Sequence, residues 1–238
     1  LIPAQAAILK DIRTITLDLD DTLWEIHPVI RRAERMLYEW LGEHYPRITE
    51  MYQPDDMRAL RNQLIAEFPD QVHDLTFLRR SVLSRAGSAA GYDDSFIDSA
   101  FAVFDAVRND VAIFPEVIPA LEALNEQFTV IAVTNGNASL ETIGIAHLFD
   151  DIVTAAKAGA AKPARQVFDL AVKLGGASAA QTLHVGDHAE YDVDGARNAG
   201  LRTAWVNRTE QVWPNELLRP DIEVVHVGEL ALRLQAGG

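Results

Sequence analysis

An α/β fold with a mostly parallel central sheet, interrupted by an all-helical insert, follows from three features of this 238-residue chain. Short apolar runs suited to buried strands recur from Phe128 onward, with helical patterns between them. Such alternation gives parallel βαβ units with both sheet faces covered. One further run, Ile15-Thr16-Leu17, stands near the N-terminus, and from Pro28 to about Asp110 the chain reads as helix upon helix. The early strand belongs with the later sheet, so the chain divides into a core, 1–24 and 111–238, and a helical insert, 25–110.

In the insert, Ile30, Ala33, Leu37 and Leu41 recur at three- and four-residue spacing and form one stripe, with Pro28 in the first turn and Gly42 near the end. Further helical patterns run over about 54–68, 72–86 and 94–107, separated by Pro69-Asp70 and by the small-residue stretch 87–91. A helix over 116–127 then leads to a buried strand, 128–133, ending at Thr134-Asn135-Gly136. Later strands are expected at 151–154, 182–185, 203–206 and 222–225, with helices at about 164–174, 191–199 and 228–234.

The formal net charge of −14 argues against a protein that tracks nucleic acid, which needs a basic face to neutralise phosphates. The absence of cysteine rules out disulfides and thiolate metal sites and fits a reducing compartment. No apolar run is long enough to span a membrane. The first ten residues lack the basic start of a signal peptide and read as a short arm. A cytoplasmic enzyme is the expectation, with no nucleic-acid or membrane partner; oligomeric state is not legible.

Four segments carry chemistry, each where a strand ends or a helix begins. Asp18 and Asp20 follow the first strand two residues apart, so their carboxylates share a face and repel unless a cation or a proton intervenes. Thr134-Asn135-Gly136 offers a hydroxyl and backbone N–H groups in a turn that can wrap an oxyanion. Lys162, one of only four lysines, precedes Pro163 and a helix. Gly186-Asp187 through Asp192 adds two carboxylates after another strand. Together these suit phosphoryl transfer, which needs positive charge, hydrogen-bond donors and an aligned nucleophile. A carboxylate can attack phosphorus and form an acyl-phosphate. Asp18, Asp187 and Asp192 supply the all-oxygen set that Mg²⁺ prefers.

These segments resemble, in order, the four motifs of the haloacid dehalogenase-like phosphohydrolases: Asp18-Leu19-Asp20-Asp21-Thr22-Leu23, then Thr134, then Lys162-Pro163, then Gly186-Asp187 to Asp192 with Gly195-Ala196. The resemblance implies a Rossmann-like core with a helical cap of the type I members. It makes Asp18 the nucleophile and Asp20 the acid/base that protonates the leaving alkoxide and then activates water. It makes Thr134 and Lys162 the phosphoryl-binding groups. Mg²⁺ would be held by the side chains of Asp18 and Asp187 and the main-chain carbonyl of Asp20, and Asp192 would contact the metal or hold Lys162. Closure of the cap would exclude water and select the leaving group. Two residues depart from the pattern: Asp21 occupies a place often held by glycine, and His188 follows Asp187 where a small polar residue is commoner.

Asp20 disfavours the dehalogenase branch, which needs no acid there, and the lack of lysine in the insert excludes the phosphonate-cleaving branch. A sugar-phosphate mutase shares the core residues, and a phospho-acceptor signalling protein is the alternative of a different class. The stretches Trp24-Glu25-Ile26-His27-Pro28-Val29-Ile30-Arg31-Arg32 and Val133 to Ala138 resemble the bacterial subgroup that dephosphorylates FMN and the phosphoribitylamino-uracil intermediate of riboflavin synthesis. On that reading Trp24 stacks on a flat ring, Arg31 or Arg32 meets a polar edge or phosphate, and Asn135 and Gly136 line the phosphate turn; the alternative is that Trp24 packs the cap hinge and the arginines form a solvated helix face. The histidines form no ligand spacing, His184 reads as strand packing, and no zinc site is expected.

Overall fold

The computed structural model describes residues 9–237, so most of the expected N-terminal arm lies outside the described residues. Two compact units emerge. One comprises the residues up to Glu25, Ala112–Gly136 and those from Gly144 onward; the other comprises Ile26–Val111 and Asn137–Ile143. The segment 137–143, counted with the core from sequence, clusters with the helices: Asn137 donates to the Thr76 hydroxyl (3.3 Å) and the Ser139 N–H donates to Asn109 (2.8 Å).

The first unit is built on six strands: β1 (Thr14–Leu17), β2 (Thr129–Thr134), β3 (Asp151–Thr154), β4 (Thr182–Gly186), β5 (Arg202–Val206) and β6 (Ile222–Val224). They form one sheet in the order β3-β2-β1-β4-β5-β6, every pairing parallel, which bears out the α/β reading. β1 is buried along its whole length and sits centrally, with Leu17 opposite Ala132 of β2 and Val185 of β4. The strand order reverses direction at β1, and in such sheets the crevice beyond the carboxyl ends at the reversal is where ligands bind.

The second unit holds α1 (Ile26–His44), α2 (Pro46–Met51), α3 (Pro54–Glu67), α4 (Leu75–Ala89) and α5 (Ile97–Arg108). Its core gathers Ala33, Leu37 and Leu41 of α1 with Leu60, Leu64, Leu78, Val82, Leu83, Phe96 and Phe104. α1 starts at Ile26, so Val29 joins the buried stripe and Ile30 only packs against it. α4 begins three residues later than expected because Asp74 caps it, accepting from the Phe77 N–H (2.9 Å). The short α2 was not anticipated; Pro46 starts it and only Ile48 is buried, too little periodicity to read. In the first unit α6 (Val117–Asn125), α7 (Arg165–Gly175) and α8 (Val227–Gly237) cover the sheet. The helix expected at 191–199 begins instead with a wide turn in which the Val193 N–H reaches the His188 carbonyl (3.3 Å), a π-type bond that sequence periodicity does not reveal.

Candidate active site

Asp18 is the first residue past β1, and its N–H still bonds the Val185 carbonyl of β4 (2.9 Å), so the sheet fixes its backbone. The chain then folds back tightly, with the Leu23 N–H on Leu19 O (2.8 Å) and the Asp21 N–H on Trp24 O (2.8 Å). Asp21 takes φ 63°, the left-handed region, which explains why glycine suits this place and why Asp, one of the few residues tolerated there, can replace it. The turn brings the buried Thr22 hydroxyl within 3.1 Å of Asp18 Oδ2 and 3.3 Å of Asp187 Oδ1, where it bridges two carboxylates from different strands.

Lys162 is buried and its ammonium is shared: Nζ lies 2.5 Å from Asp18 Oδ1, 2.5 Å from Asp192 Oδ1 and 3.2 Å from the Val133 carbonyl. Asp192 is itself fully engaged, accepting at Oδ2 from the His188 N–H (2.9 Å) and at Oδ1 from His184 Nε2 (3.2 Å) as well as from Lys162. Its carboxylate lies against Gly186, where an added Cβ would fall 2.3 Å from Asp192 Cγ, so any side chain there would have to displace the carboxylate. Asp192 thus grips the Lys162 ammonium through Oδ1.

The turn after β2 departs from expectation. The Gly136 N–H, read as an oxyanion donor, is bonded to the Thr134 hydroxyl (2.8 Å). Asn135, read as a substrate contact, grips the main chain of Lys162, donating to its carbonyl (3.0 Å) and accepting from its N–H (2.6 Å). The turn's own chain satisfies these groups because a strand-end loop inside a packed core must pair its polar atoms. Thr134 lies beside the site by register, one residue beyond the Val133 carbonyl that Lys162 uses.

Trp24 is also corrected. It is fully buried, and its indole N–H donates to Asp20 Oδ1 (2.9 Å), so its ring is not offered to a ligand and it orients the Asp20 carboxylate instead. Arg31 is exposed on α1, within the helical unit. His188 caps the 189–194 turn, its Nδ1 accepting from the Glu190 and Tyr191 N–H groups (3.3 and 3.2 Å), and it stacks on Tyr191. Two residues of the cluster carry no chemical role in the sequence reading. Thr22 stands within the first motif and His184, inside a strand, reads as packing, whereas the Thr22 hydroxyl meets Asp18 and His184 Nε2 meets Asp192, eight residues on around a loop.

Electrostatically the site is short of positive charge. Asp18, Asp187 and Asp192 each place an oxygen within 4.8 Å of the others. Burial, reinforced by Asp192 and Asp187, raises Asp18 well above the carboxylate range despite Lys162. Burial, then Asp192 and Asp21, pushes Asp187 up to about 7. Burial alone would lower Lys162, but Asp18 and Asp192 raise it, so it stays charged. Burial likewise works against Asp192, yet Lys162 and His184 hold it below the usual range. One ammonium cannot balance three carboxylates. An all-oxygen cluster carrying surplus negative charge fits a hard divalent cation such as Mg²⁺.

A profile of the haloacid dehalogenase-like hydrolases matches residues 12–200. The chain is 30% identical over 230 residues to the 5-amino-6-(5-phospho-D-ribitylamino)uracil phosphatase YigB of Escherichia coli, covering 93% of this chain and 96% of that one. It is 33% identical over 122 residues to the pyrimidine 5'-nucleotidase YjjG of the same organism, 49% of this chain and 54% of that one. Among solved structures, a 2-haloacid dehalogenase from Pseudomonas syringae pv. Tomato superposes with a TM-score of 0.89 at 37% identity, covering 94% of this chain and 98% of that one. The match across most of the sequence and the motif residues gathered at the sheet's reversal point agree, and the chain belongs to the haloacid dehalogenase-like hydrolases.

Proposed function

We propose that this enzyme hydrolyses small-molecule phosphate monoesters in two steps, through an aspartyl-phosphate on Asp18. The observation that carries this reading is the Asp18 carboxylate itself: buried, gripped by Lys162 and Thr22, and set among carboxylates whose surplus charge calls for a cation. Asp18 and Asp187, with the Asp20 main-chain carbonyl, would hold Mg²⁺, which when bound offsets the repulsion between carboxylate and phosphate. Lys162 holds Asp18 in place and supplies positive charge toward the transferring phosphoryl oxygens, with the Thr134 hydroxyl beside it. Asp20, oriented by the Trp24 indole, gives its proton to the leaving alkoxide and takes one back from the attacking water. The helical unit is the cap in this reading, and the setting is cytoplasmic.

The identity to YigB favours a phosphoribitylamino-uracil as substrate, with FMN the alternative that the motif resemblance implies. Trp24 no longer supports it, so the choice rests on that likeness. A second reading, carbon–halogen hydrolysis, is favoured by the TM-score of 0.89 to a dehalogenase. Halide leaves without a proton and a neutral carbon does not repel a carboxylate, so that reaction uses neither Asp20 nor a cation. The test is the purified protein with and without Mg²⁺, offered p-nitrophenyl phosphate, FMN, sugar phosphates, nucleotides and 2-chloropropionate. Steady Mg²⁺-dependent phosphate release is expected. Chloride release without metal overturns the proposal in favour of the second reading, and stable labelling by a phosphodonor without turnover overturns it in favour of a phospho-acceptor.

A further inference from the structure

Behind Lys162 and Asp192 lies a buried polar chain that touches neither the nucleophile nor the acid/base of the two-step reaction directly. Thr16 and His184 are register partners on β1 and β4, and the Thr16 hydroxyl is 2.8 Å from His184 Nδ1. The other ring nitrogen, Nε2, is 3.2 Å from Asp192 Oδ1, the same oxygen that takes Lys162 Nζ at 2.5 Å, and Lys162 reaches Asp18 Oδ1 at 2.5 Å. All five residues are buried. An ionised carboxylate only accepts, so the hydrogen between His184 and Asp192 sits on Nε2; the neutral ring then leaves Nδ1 bare, and Nδ1 accepts from the Thr16 O–H. Phe168 meets the imidazole edge-on at a centroid distance of 5.1 Å and limits its rotation.

Thr16 on β1 and Asp18 just past its end are two residues apart and share a face, as do His184 and Gly186 on β4. The ring therefore buttresses Asp192 from the sheet side, while Gly186 leaves space for the carboxylate and the His188 N–H holds its other oxygen. With Asp192 held at both oxygens, its pull on Lys162 has a fixed direction, and the ammonium stays divided between Asp192 and the nucleophile. Without the Nε2–H, Asp192 Oδ1 keeps only Lys162, and the carboxylate, then held by the His188 N–H alone, can turn with the ammonium away from Asp18.

We infer that His184 is a positioning residue for the Asp18 reaction, acting through Asp192 on Lys162, with Thr16 fixing its tautomer. This rests on the phosphatase reading for its kinetic consequence only. The test compares wild type with His184→Gln, which can place an N–H near Nε2, and His184→Met, which fills the space without a donor. With saturating Mg²⁺ and p-nitrophenyl phosphate, His184→Met is expected to lose 10–100-fold in kcat with KM changed less than about threefold, the scale typical of lost supporting hydrogen bonds. His184→Gln is expected to recover to within about fivefold, although both variants lower Tm alike. Long-range ¹H–¹⁵N spectra of the wild-type ring should show the Nε2–H form. A kcat for His184→Met within threefold of wild type, equal impairment of the Gln and Met variants, or an Nδ1–H ring overturns the inference. The ring spectrum and the Mg²⁺ concentration needed to raise Tm do not require turnover. If wild type hydrolyses no phosphate ester, an Nε2–H ring and a tenfold higher Mg²⁺ requirement in His184→Met uphold the relay while the reaction assignment fails; an Nδ1–H ring or an unchanged Mg²⁺ requirement sinks the relay itself.

Discussion

Replacing Asp187 by Asn should stabilise the metal-free protein at neutral pH and destroy its response to Mg²⁺. Asp187 has its pKa raised from 3.8 to about 7, chiefly by burial and then by Asp192 and Asp21. Between those two pH values the folded protein keeps a proton that the unfolded chain has released, so metal-free stability falls as pH rises and the loss is complete above about pH 7. At about 1.4 kcal/mol per pH unit over roughly three units the ceiling is about 4 kcal/mol, and the partial solvent access of this side chain brings it to roughly 2–4 kcal/mol. His184, lowered by burial, works in the opposite direction, since the unfolded chain protonates there first; it is present in both proteins and cancels in the comparison. The carboxamide introduced by Asp187→Asn keeps an oxygen able to accept from Thr22, and the bond from the Trp205 indole goes to the main-chain carbonyl, so neither is lost. Thermal unfolding in EDTA should therefore give equal Tm values within a few degrees near pH 4.5. At pH 8 the Asn variant should melt higher by roughly 4–16 °C. Added Mg²⁺ should reverse the order by raising wild type alone. A variant no more stable than wild type at pH 8 in EDTA would refute the claim that this cluster is an electrostatic strain awaiting a cation.

Three further outcomes are expected. Asp18→Asn should fold and release no phosphate; near-normal turnover in a malachite-green assay would remove Asp18 as nucleophile. Asp20→Asn should slow turnover by about 10²–10⁴-fold, the usual scale for a lost general acid/base, and should let phosphoenzyme accumulate with a good leaving group such as p-nitrophenolate. Intact-mass spectrometry after rapid quench reads that intermediate, and its absence alongside full activity would dismiss the role. Gly186→Ala should cost both stability and activity, since its methyl would sit 2.3 Å from Asp192 Cγ and displace the carboxylate that holds Lys162. An Ala variant with unchanged melting and turnover would show that Asp192 is not fixed as described.

The α/β architecture is legible in the linear chain, because buried strands and amphipathic helices leave different periodicities. The linear chain also marks Asp18, Asp20, Lys162, Asp187 and Asp192 as candidates, because scarce or like-charged residues at strand ends are conspicuous in one dimension, and Thr134 by its hydroxyl in the turn that ends a strand. What it could not show was which groups are already used by their neighbours. Trp24, Asn135 and the Gly136 N–H looked available in sequence, yet each is paired within the protein, to Asp20, the Lys162 main chain and the Thr134 hydroxyl. His184 looked like packing and is instead hydrogen-bonded across two strands. Parallel register decides these matters: it sets Thr16 beside His184 although 168 residues separate them, and no local pattern encodes a pairing between strands so far apart in the chain.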